Sequence, residues 1–422
     1  MEGLGRLSDP EPPRQLDVTC RACGSRDLTL ILSLGEQPLA NALRPLAEID
    51  AEQPRYPLDL AHCTTCSLVQ LTVSVDPDEM FADYPYFSSY SDTVVRNAAD
   101  LVEQMVADLG LGAESLAMEI ASNDGYLLRH YRDAGVPVLG IDPAANVVAV
   151  ATADGIRTRC AYFGNALARE LRTEGIRASV LHANNVMAHV PDVRGVVQGI
   201  ATVLADDGVF VMETPYVRDL VEAVEFDTIY HEHLAYYSVT SLDRLFGANG
   251  LELVGVERIP IHGGSLRAFG ALPGARERTP DVARLLDEEA NLGLDDVGYY
   301  RDFSARVDAL CASLRERLDA LREGGTRIAG YGAAAKATVL LNALGVDADT
   351  IEFVVDRNPN KQERLVPGTR IPIRAPEALL TDRPDVTVLF SWNFADEVLA
   401  QQAEYRAGGG RFLIPIPEIQ LV

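Results

Sequence analysis

The chain has 422 residues and a mass of 45.8 kDa, and at roughly 150 residues per domain this length favours several domains over one compact unit. Hydrophobic residues make up 47% and charged residues 23%, which excludes a wholly disordered, collagenous or disulfide-dense chain. Acidic residues outnumber basic ones 62 to 37, a formal charge of −25, so most of the surface repels nucleic acid and anionic lipid and an anionic ligand needs a local positive site.

The first residues, MEGLGRLSDPEPPRQ, lack the basic flank and apolar core of a signal peptide, and the sequence holds no long apolar run. A cytoplasmic protein with neither membrane nor nucleic acid as partner is expected. Four of the six cysteines form two C-x-x-C pairs, Cys20/Cys23 and Cys63/Cys66, a pattern that in a reducing compartment favours metal or redox chemistry over disulfides. The spacing resembles a split zinc ribbon, because each pair offers two thiolates from a tight turn and four complete a tetrahedral shell. Structural zinc is therefore expected in residues 1–75, a region with too few large apolar residues to fold easily without it. Redox-active or idle thiols are the alternative, and His62 is expected beside the knuckle rather than in the shell. Cys160 and Cys311, standing alone, are expected to be buried and inert.

Next comes FADYPYFSSYSD, whose Tyr84, Tyr86 and Tyr90 fit aromatics between two domains. From Ser115 the pattern runs strand, turn, helix, strand: SLAMEIA, SNDG, YLLRHYRDAG, VPVLGID. Further strands ASVLHANNV and GVFVMETP flank a helix, which predicts a doubly wound parallel sheet over a domain spanning residues 76–285. Its first turn, E-I-A-S-N-D-G, has one glycine and the carboxylates of Glu119 and Asp124, an unsuitable cradle for a pyrophosphate. S-adenosylmethionine fits better, since it carries adenosine and ribose, no phosphate, and two cationic groups that carboxylates attract. Asp142, at the end of the second strand, is placed to accept the ribose hydroxyls. Glu119, Ala121, Asn123, Gly125 and Asn184 complete the expected donor site; the plainer alternative is an unliganded domain whose polar turn only caps a helix.

The densest titratable cluster is Tyr230-His231-Glu232-His233-Leu234-Ala235-Tyr236-Tyr237-Ser238. In an extended segment, alternation would place Tyr230 and Glu232 opposite His231 and His233, whereas a turn would regroup them. Acid–base chemistry next to a carbonyl suits these groups better than an H-x-H metal site, which lacks a third ligand at matching spacing. A hydrogen-bonded polar knot between domains is the structural alternative. His189 follows a strand at the same carboxyl edge and could donate to an oxyanion.

After an acidic, helix-rich connector the doubly wound theme repeats in TRIAGYGAAAKATVLLNALG, TIEFVVDRNPN, DVTVLFSWN and RFLIPIPEI, predicting a second Rossmann-like domain over residues 286–422. Its G-Y-G-A-A-A-K turn puts Lys336 at a helix start, an anion-binding arrangement. Lys336 and Lys361 are the only lysines, and a lysine is a compact charge suited to phosphate; both could equally be solvated loop residues. Tyr331 in this turn and Arg267 in the IHGGSLR run join Lys336 as candidate substrate contacts. The expected fold class is thus α/β, with two Rossmann-like doubly wound domains and a small N-terminal zinc-binding region.

The paired C-x-x-C, the Tyr84–Ser91 stretch, E-I-A-S-N-D-G, N-N-V-M-A-H, Y-H-E-H-L-A-Y-Y-S and I-H-G-G-S-L-R occur in one order. Together they resemble the zinc-containing, S-adenosylmethionine-dependent sugar C-methyltransferases that act on nucleotide-linked 4-keto deoxysugars in antibiotic biosynthesis. The resemblance covers essentially the whole chain. It implies that Tyr84, His189, Tyr230, Glu232 and His233 occupy active-site positions, with His233 as general base, and that the zinc is structural and remote from chemistry. His189 and Tyr84 would stabilise an enolate oxygen, while Glu232 and Tyr230 would orient base or sugar. It further implies a dTDP-linked sugar partner, methylation at C-3 in preference to C-5, and a monomer. An O- or N-methyltransferase and a noncatalytic zinc- and nucleotide-binding module are the alternatives.

Overall fold

The computed structural model describes residues 18–76, 88–90, 92–260 and 263–422; Tyr84 and Tyr86 lie outside them. Three larger sheets and one two-stranded pair organise the described residues. The N-terminal region supplies β1 (Leu28–Gln37), β2 (Arg44–Pro45), β3 (Tyr56–Cys63) and β4 (Val69–Leu71). The middle region supplies β5 (Ala117–Ile120), β6 (Val138–Asp142), β7 (Thr158–Cys160), β8 (Ala178–Asn184), β9 (Leu204–Pro215), β10 (Ala235–Tyr236), β11 (Glu252–Ile259) and β12 (Ser265–Ala271). The C-terminal region holds β13 (Ile328–Tyr331), β14 (Val354–Val355), β15 (Arg364–Leu365), β16 (Ile373–Arg374), β17 (Val386–Leu389), β18 (Arg411–Ile414) and β19 (Gln420–Leu421).

The middle sheet runs β11-β12-β9-β8-β5-β6-β7. From β9 to β7 all neighbours are parallel, and β12 runs antiparallel to both β9 and β11. Strand β5 is flanked by β6 on one side and β8 on the other, so the order reverses there and the carboxyl ends open a crevice. The expected doubly wound sheet is present, and the reason is legible: AMEI is buried at every residue, as a parallel strand covered on both faces requires. The C-terminal sheet, β16-β14-β13-β17-β18-β19, reverses order at β13 in the same way.

The N-terminal region is less separate than its sequence suggests. Its sheet, β1-β3-β4-β10, is completed by β10 of the middle region, paired antiparallel with β4 through Ala235↔Gln70 and Tyr236↔Val69. Strand β2 pairs with β15 of the C-terminal region. Leu58, Leu60, Leu68, Val69 and Leu71 are buried in a core continuous with the other two regions. A small region thereby gains the apolar burial that its own composition lacks.

One expectation about thiols is corrected. Cys160 is exposed, because β7 ends the middle sheet and, among the described residues, no strand covers its outer edge. Cys311 is half-buried on the Phe303–Glu323 helix, and burial pushes its thiol up to about 11, which suits an inert group. Among the described residues no helix is long and apolar enough to cross a membrane.

Candidate active site

The four paired cysteines converge as their spacing predicts. Their Sγ atoms all lie within 4.8 Å of one another, with Cys20 and Cys66 3.4 Å apart and Cys23 and Cys63 3.6 Å apart. These separations exceed a disulfide bond and match thiolates around one tetrahedral ion. Zinc fits this donor set, and four protein ligands leave it no open position for substrate. His62 is not in the group: its ring lies 4.9 Å from that of Tyr300, and burial lowers its pKa to about 4.

The residues expected to hold the methyl donor gather at the carboxyl ends of β5, β6 and β8. After β5 the chain turns through left-handed backbone at Ala121 (φ 53°) and Asn123 (φ 50°) and then Gly125 (φ 80°). A Cβ on Gly125 would stand 2.9 Å from Ile156 Cγ1, so glycine is needed there. Non-glycine residues at positive φ carry strain of about 1–3 kcal/mol each and concentrate at ligand sites. Asp142 ties the turn to β6, accepting the Asn123 N–H at 2.9 Å through one oxygen and the Ala144 N–H at 2.9 Å through the other. Each oxygen keeps a second lone pair for a ribose hydroxyl.

Glu119 Oε2, Asp124 Oδ1 and Asn184 Oδ1 are buried with no hydrogen-bond partner among the described residues. Burial, with Asp142 and Asp124 nearby, holds the Glu119 carboxyl well above its usual range. Buried acceptors without donors call for a ligand rich in N–H, O–H or positive charge, and S-adenosylmethionine is such a ligand. Asp142→Ala is expected to weaken donor binding at least tenfold by calorimetry, about the loss of one hydrogen bond to a charged acceptor. Sugar-nucleotide affinity should hardly change; unchanged donor affinity would refute the placement.

A turn, not a strand, carries the histidine cluster. His233 N–H bonds to the Tyr230 carbonyl at 2.8 Å, which brings side chains three residues apart together. The His233 Nδ1–H donates to the Thr228 carbonyl at 3.0 Å, so the lone pair sits on Nε2, 2.7 Å from the Tyr230 hydroxyl that donates to it. The His189 ring meets His233 edge-on at 4.8 Å, and burial drops its pKa to about 4, leaving a neutral imidazole as donor. His231 faces away: its Nε2 lies 3.3 Å from the Tyr56 carbonyl. The two histidines therefore do not share a metal.

Glu232 points to yet another wall, where Asn41 Nδ2–H donates to Oε1 at 2.6 Å. Burial raises the Glu232 pKa, against the pull of the Asn41 hydrogen bond and the charge of Lys361. Lys361 itself donates to the Ala333 carbonyl at 2.9 Å. Asn41, from the PLANAL stretch, and Lys361 at this position were not foreseen, because only packing brings either to the cluster.

The expected substrate contacts are placed differently. Arg267 lies between Glu213 and Glu257 in the register of β9, β12 and β11, and pairs with Glu213 at 2.7 Å and Glu257 at 3.4 Å. It is 6% exposed, so its charge serves the sheet rather than a phosphate. Tyr331, 4% exposed, turns into the C-terminal core beside Phe412, because the last residue of β13 faces the inner layer. The Lys336 ammonium is held by neighbours within the protein. Its Nζ sits 3.8 Å over the Trp392 ring and donates to Asn393 at 3.1 Å, with Asp227 and Glu225 countering the desolvation that lowers its pKa. Trp392 in turn donates to Asp227 at 2.8 Å, fastening the turn that ends in Thr228.

Known proteins align with this architecture along its length. A zinc binding domain family matches residues 20–81, a methyltransferase domain family residues 90–256, and a C-methyltransferase C-terminal domain family residues 260–417. The C-methyltransferase NovU of Streptomyces niveus is 36% identical over 404 residues, 96% of each chain. Among solved structures, magnesium protoporphyrin IX methyltransferase (ChlM) from Synechocystis PCC 6803 with bound SAM is 14% identical over 42% of this chain and 78% of that one, at a TM-score of 0.33. PH0226 from Pyrococcus horikoshii OT3 is 13% identical over 46% and 98%, at a TM-score of 0.37. The relationship covers 96% of the chain, with family matches running in order from the cysteine pairs to residue 417, and the protein belongs to the zinc-containing, S-adenosylmethionine-dependent C-methyltransferase family.

Proposed function

We propose that the enzyme methylates the carbon next to the ketone of a dTDP-linked 4-keto deoxysugar, C-3 in preference to C-5, with His233 as the base. The observation that carries this reading is the Thr228–His233–Tyr230 chain, which fixes an unprotonated Nε2 beside a neutral His189. A ketone acidifies the adjacent C–H bond. On substrate arrival the Tyr230 hydroxyl turns its hydrogen to another acceptor, and the freed Nε2 lone pair takes the carbon-bound proton. The C–H electron pair passes into the enolate, whose oxygen His189 stabilises by donating. Tyr84 is assigned to the same oxygen by family likeness alone. When bound, S-adenosylmethionine supplies the electrophilic methyl that the enolate carbon takes up.

A place for the nucleotide is supported by a repeat of the donor geometry. Asp356, at the end of β14, accepts the Ala333 N–H at 2.8 Å and the Asn358 N–H at 2.8 Å, as Asp142 does in the middle domain. This is the acidic residue at a switch point that grips a ribose.

Mass spectrometry of products from a panel of dTDP-linked 4-keto sugars tests the substrate class, and deuterium washout from the carbon next to the ketone tests the chemistry. Washout that needs the enzyme and accompanies methylation is expected. Methyl transfer to oxygen or nitrogen without washout would favour the O- or N-methyltransferase.

A further inference from the structure

We infer that Asn41 is a positioning residue for Glu232, so that the loop between the two cysteine pairs forms a wall of the active site. The inference rests on the reading that Glu232 serves the reaction. The contact spans 191 residues of sequence at 2.6 Å, and it joins a nearly buried carboxylate, 8% exposed, to an asparagine whose remaining surface is open to solvent. One amide hydrogen of an otherwise exposed residue therefore orients Glu232.

The loop is held as a rigid bracket. Ala40, 3% exposed, gives its carbonyl to the hydroxyl of Thr338 at 2.9 Å, and Thr338 lies on the Ala335–Leu344 helix of the C-terminal domain. Leu43 N–H closes back on the Asn41 carbonyl at 2.8 Å. Farther on, β2 pairs with β15, and Gln53 accepts the Gly368 N–H at 2.8 Å. At one end β1 and at the other β3 carry the chain back to the thiolates. All three structural regions thus bear on Glu232, itself in the second: Asn41 of the first donates to it, Lys361 of the third adds its charge, and Thr338 of the third anchors the neighbouring Ala40.

Chemically, a carboxylate this deeply buried favours its protonated form unless donors or a cation hold the charge. Asn41 and Lys361 are the groups that hold it. Without Asn41 the carboxyl takes up a proton at higher pH and loses its fixed orientation. Asn41→Ala should therefore lower kcat about 10- to 100-fold, the worth of a hydrogen bond to a charged group. The acidic limb of the kcat profile should move to higher pH, with donor affinity unchanged. Asn41→Asp should move it further, because two carboxylates 2.6 Å apart share one proton.

The experiment measures kcat against pH for wild type, Asn41→Ala, Asn41→Asp and both changes in a Glu232→Gln background. In parallel, the Glu232 side-chain carboxyl is titrated by carbon-13 NMR, assigned by its loss in Glu232→Gln. The expected result is an upward displacement in both readouts that vanishes when position 232 is glutamine. An unmoved Glu232 titration in folded, zinc-loaded Asn41→Ala would overturn the inference, as would an equal kcat loss in the Glu232→Gln background. If Asn41→Ala does not fold, the near-isosteric Asn41→Asp decides on the same readouts. If wild type turns over no keto sugar while the Glu232 titration is still displaced in Asn41→Ala, the functional reading fails and Asn41 is left as the group that sets the Glu232 charge, with no part in a reaction.

Discussion

Replacing His233 by alanine should lower methyl transfer by about 10²–10⁴-fold, the usual contribution of a positioned base, while zinc content and donor affinity survive. The geometry gives the reason. The Thr228 carbonyl accepts from Nδ1, so the only lone pair of the ring is on Nε2, and Tyr230 marks its direction. Hydrogen exchange at the substrate carbon should fall in parallel with methylation, because both begin with the same proton removal. Exchange that persists while methyl transfer stops would mean that His233 aligns the donor, and the mechanism would fail. A rate equal to wild type would move the base to His189, since His231 faces Tyr56. The ring is half-buried on a turn, so its loss leaves no large cavity and a folded variant is expected.

The Cys63→Ser, Cys66→Ser double variant should lose zinc, and with it the ordered N-terminal region and all activity. Zinc sites of this kind contribute about 10–16 kcal/mol of apparent binding energy in small isolated domains, comparable to the stability of a whole protein domain, about 5–15 kcal/mol. Here the effect has a path to the turn that carries His233. Cys63 ends β3, β3 pairs with β4, and β4 pairs with Ala235–Tyr236, two residues beyond His233. Family likeness implied a zinc remote from chemistry; its four thiolates leave no open position for substrate, but the strand ladder and the Asn41 loop connect its region to His233 and Glu232. Elemental analysis should find one zinc per chain in wild type and none in the variant, with proteolysis cutting within residues 18–76. Zinc-free wild type, or a fully active double variant, would refute the assignment.

The sequence by itself determined what depends on local chemistry and period. Two C-x-x-C pairs specify a tetrahedral thiolate set wherever the chain folds so as to join them. Runs such as AMEI and VLGID specify strands covered on both faces, and a turn with Asn123, Gly125 and a distant Asp142 specifies a donor cradle without phosphate. Each of these signals lies within a few residues or within one strand–helix–strand unit. What tertiary structure decided are the pairings between units. The Tyr230–His231–Glu232–His233 stretch reads equally as strand or turn, and only its packing against Ala188, whose carbonyl accepts the Leu234 N–H, and against the C-terminal domain regroups Tyr230 with His233. Arg267 and Lys336 looked like anion ligands because a chain shows its charges but not their neighbours; strand register supplied Glu213 to one, and domain docking supplied Asp227, Glu225 and Trp392 to the other. Asn41 lies 191 residues from Glu232, and no periodicity reaches that far. A side chain's ionisation and direction are set by what surrounds it after burial, and burial is a property of the packed molecule.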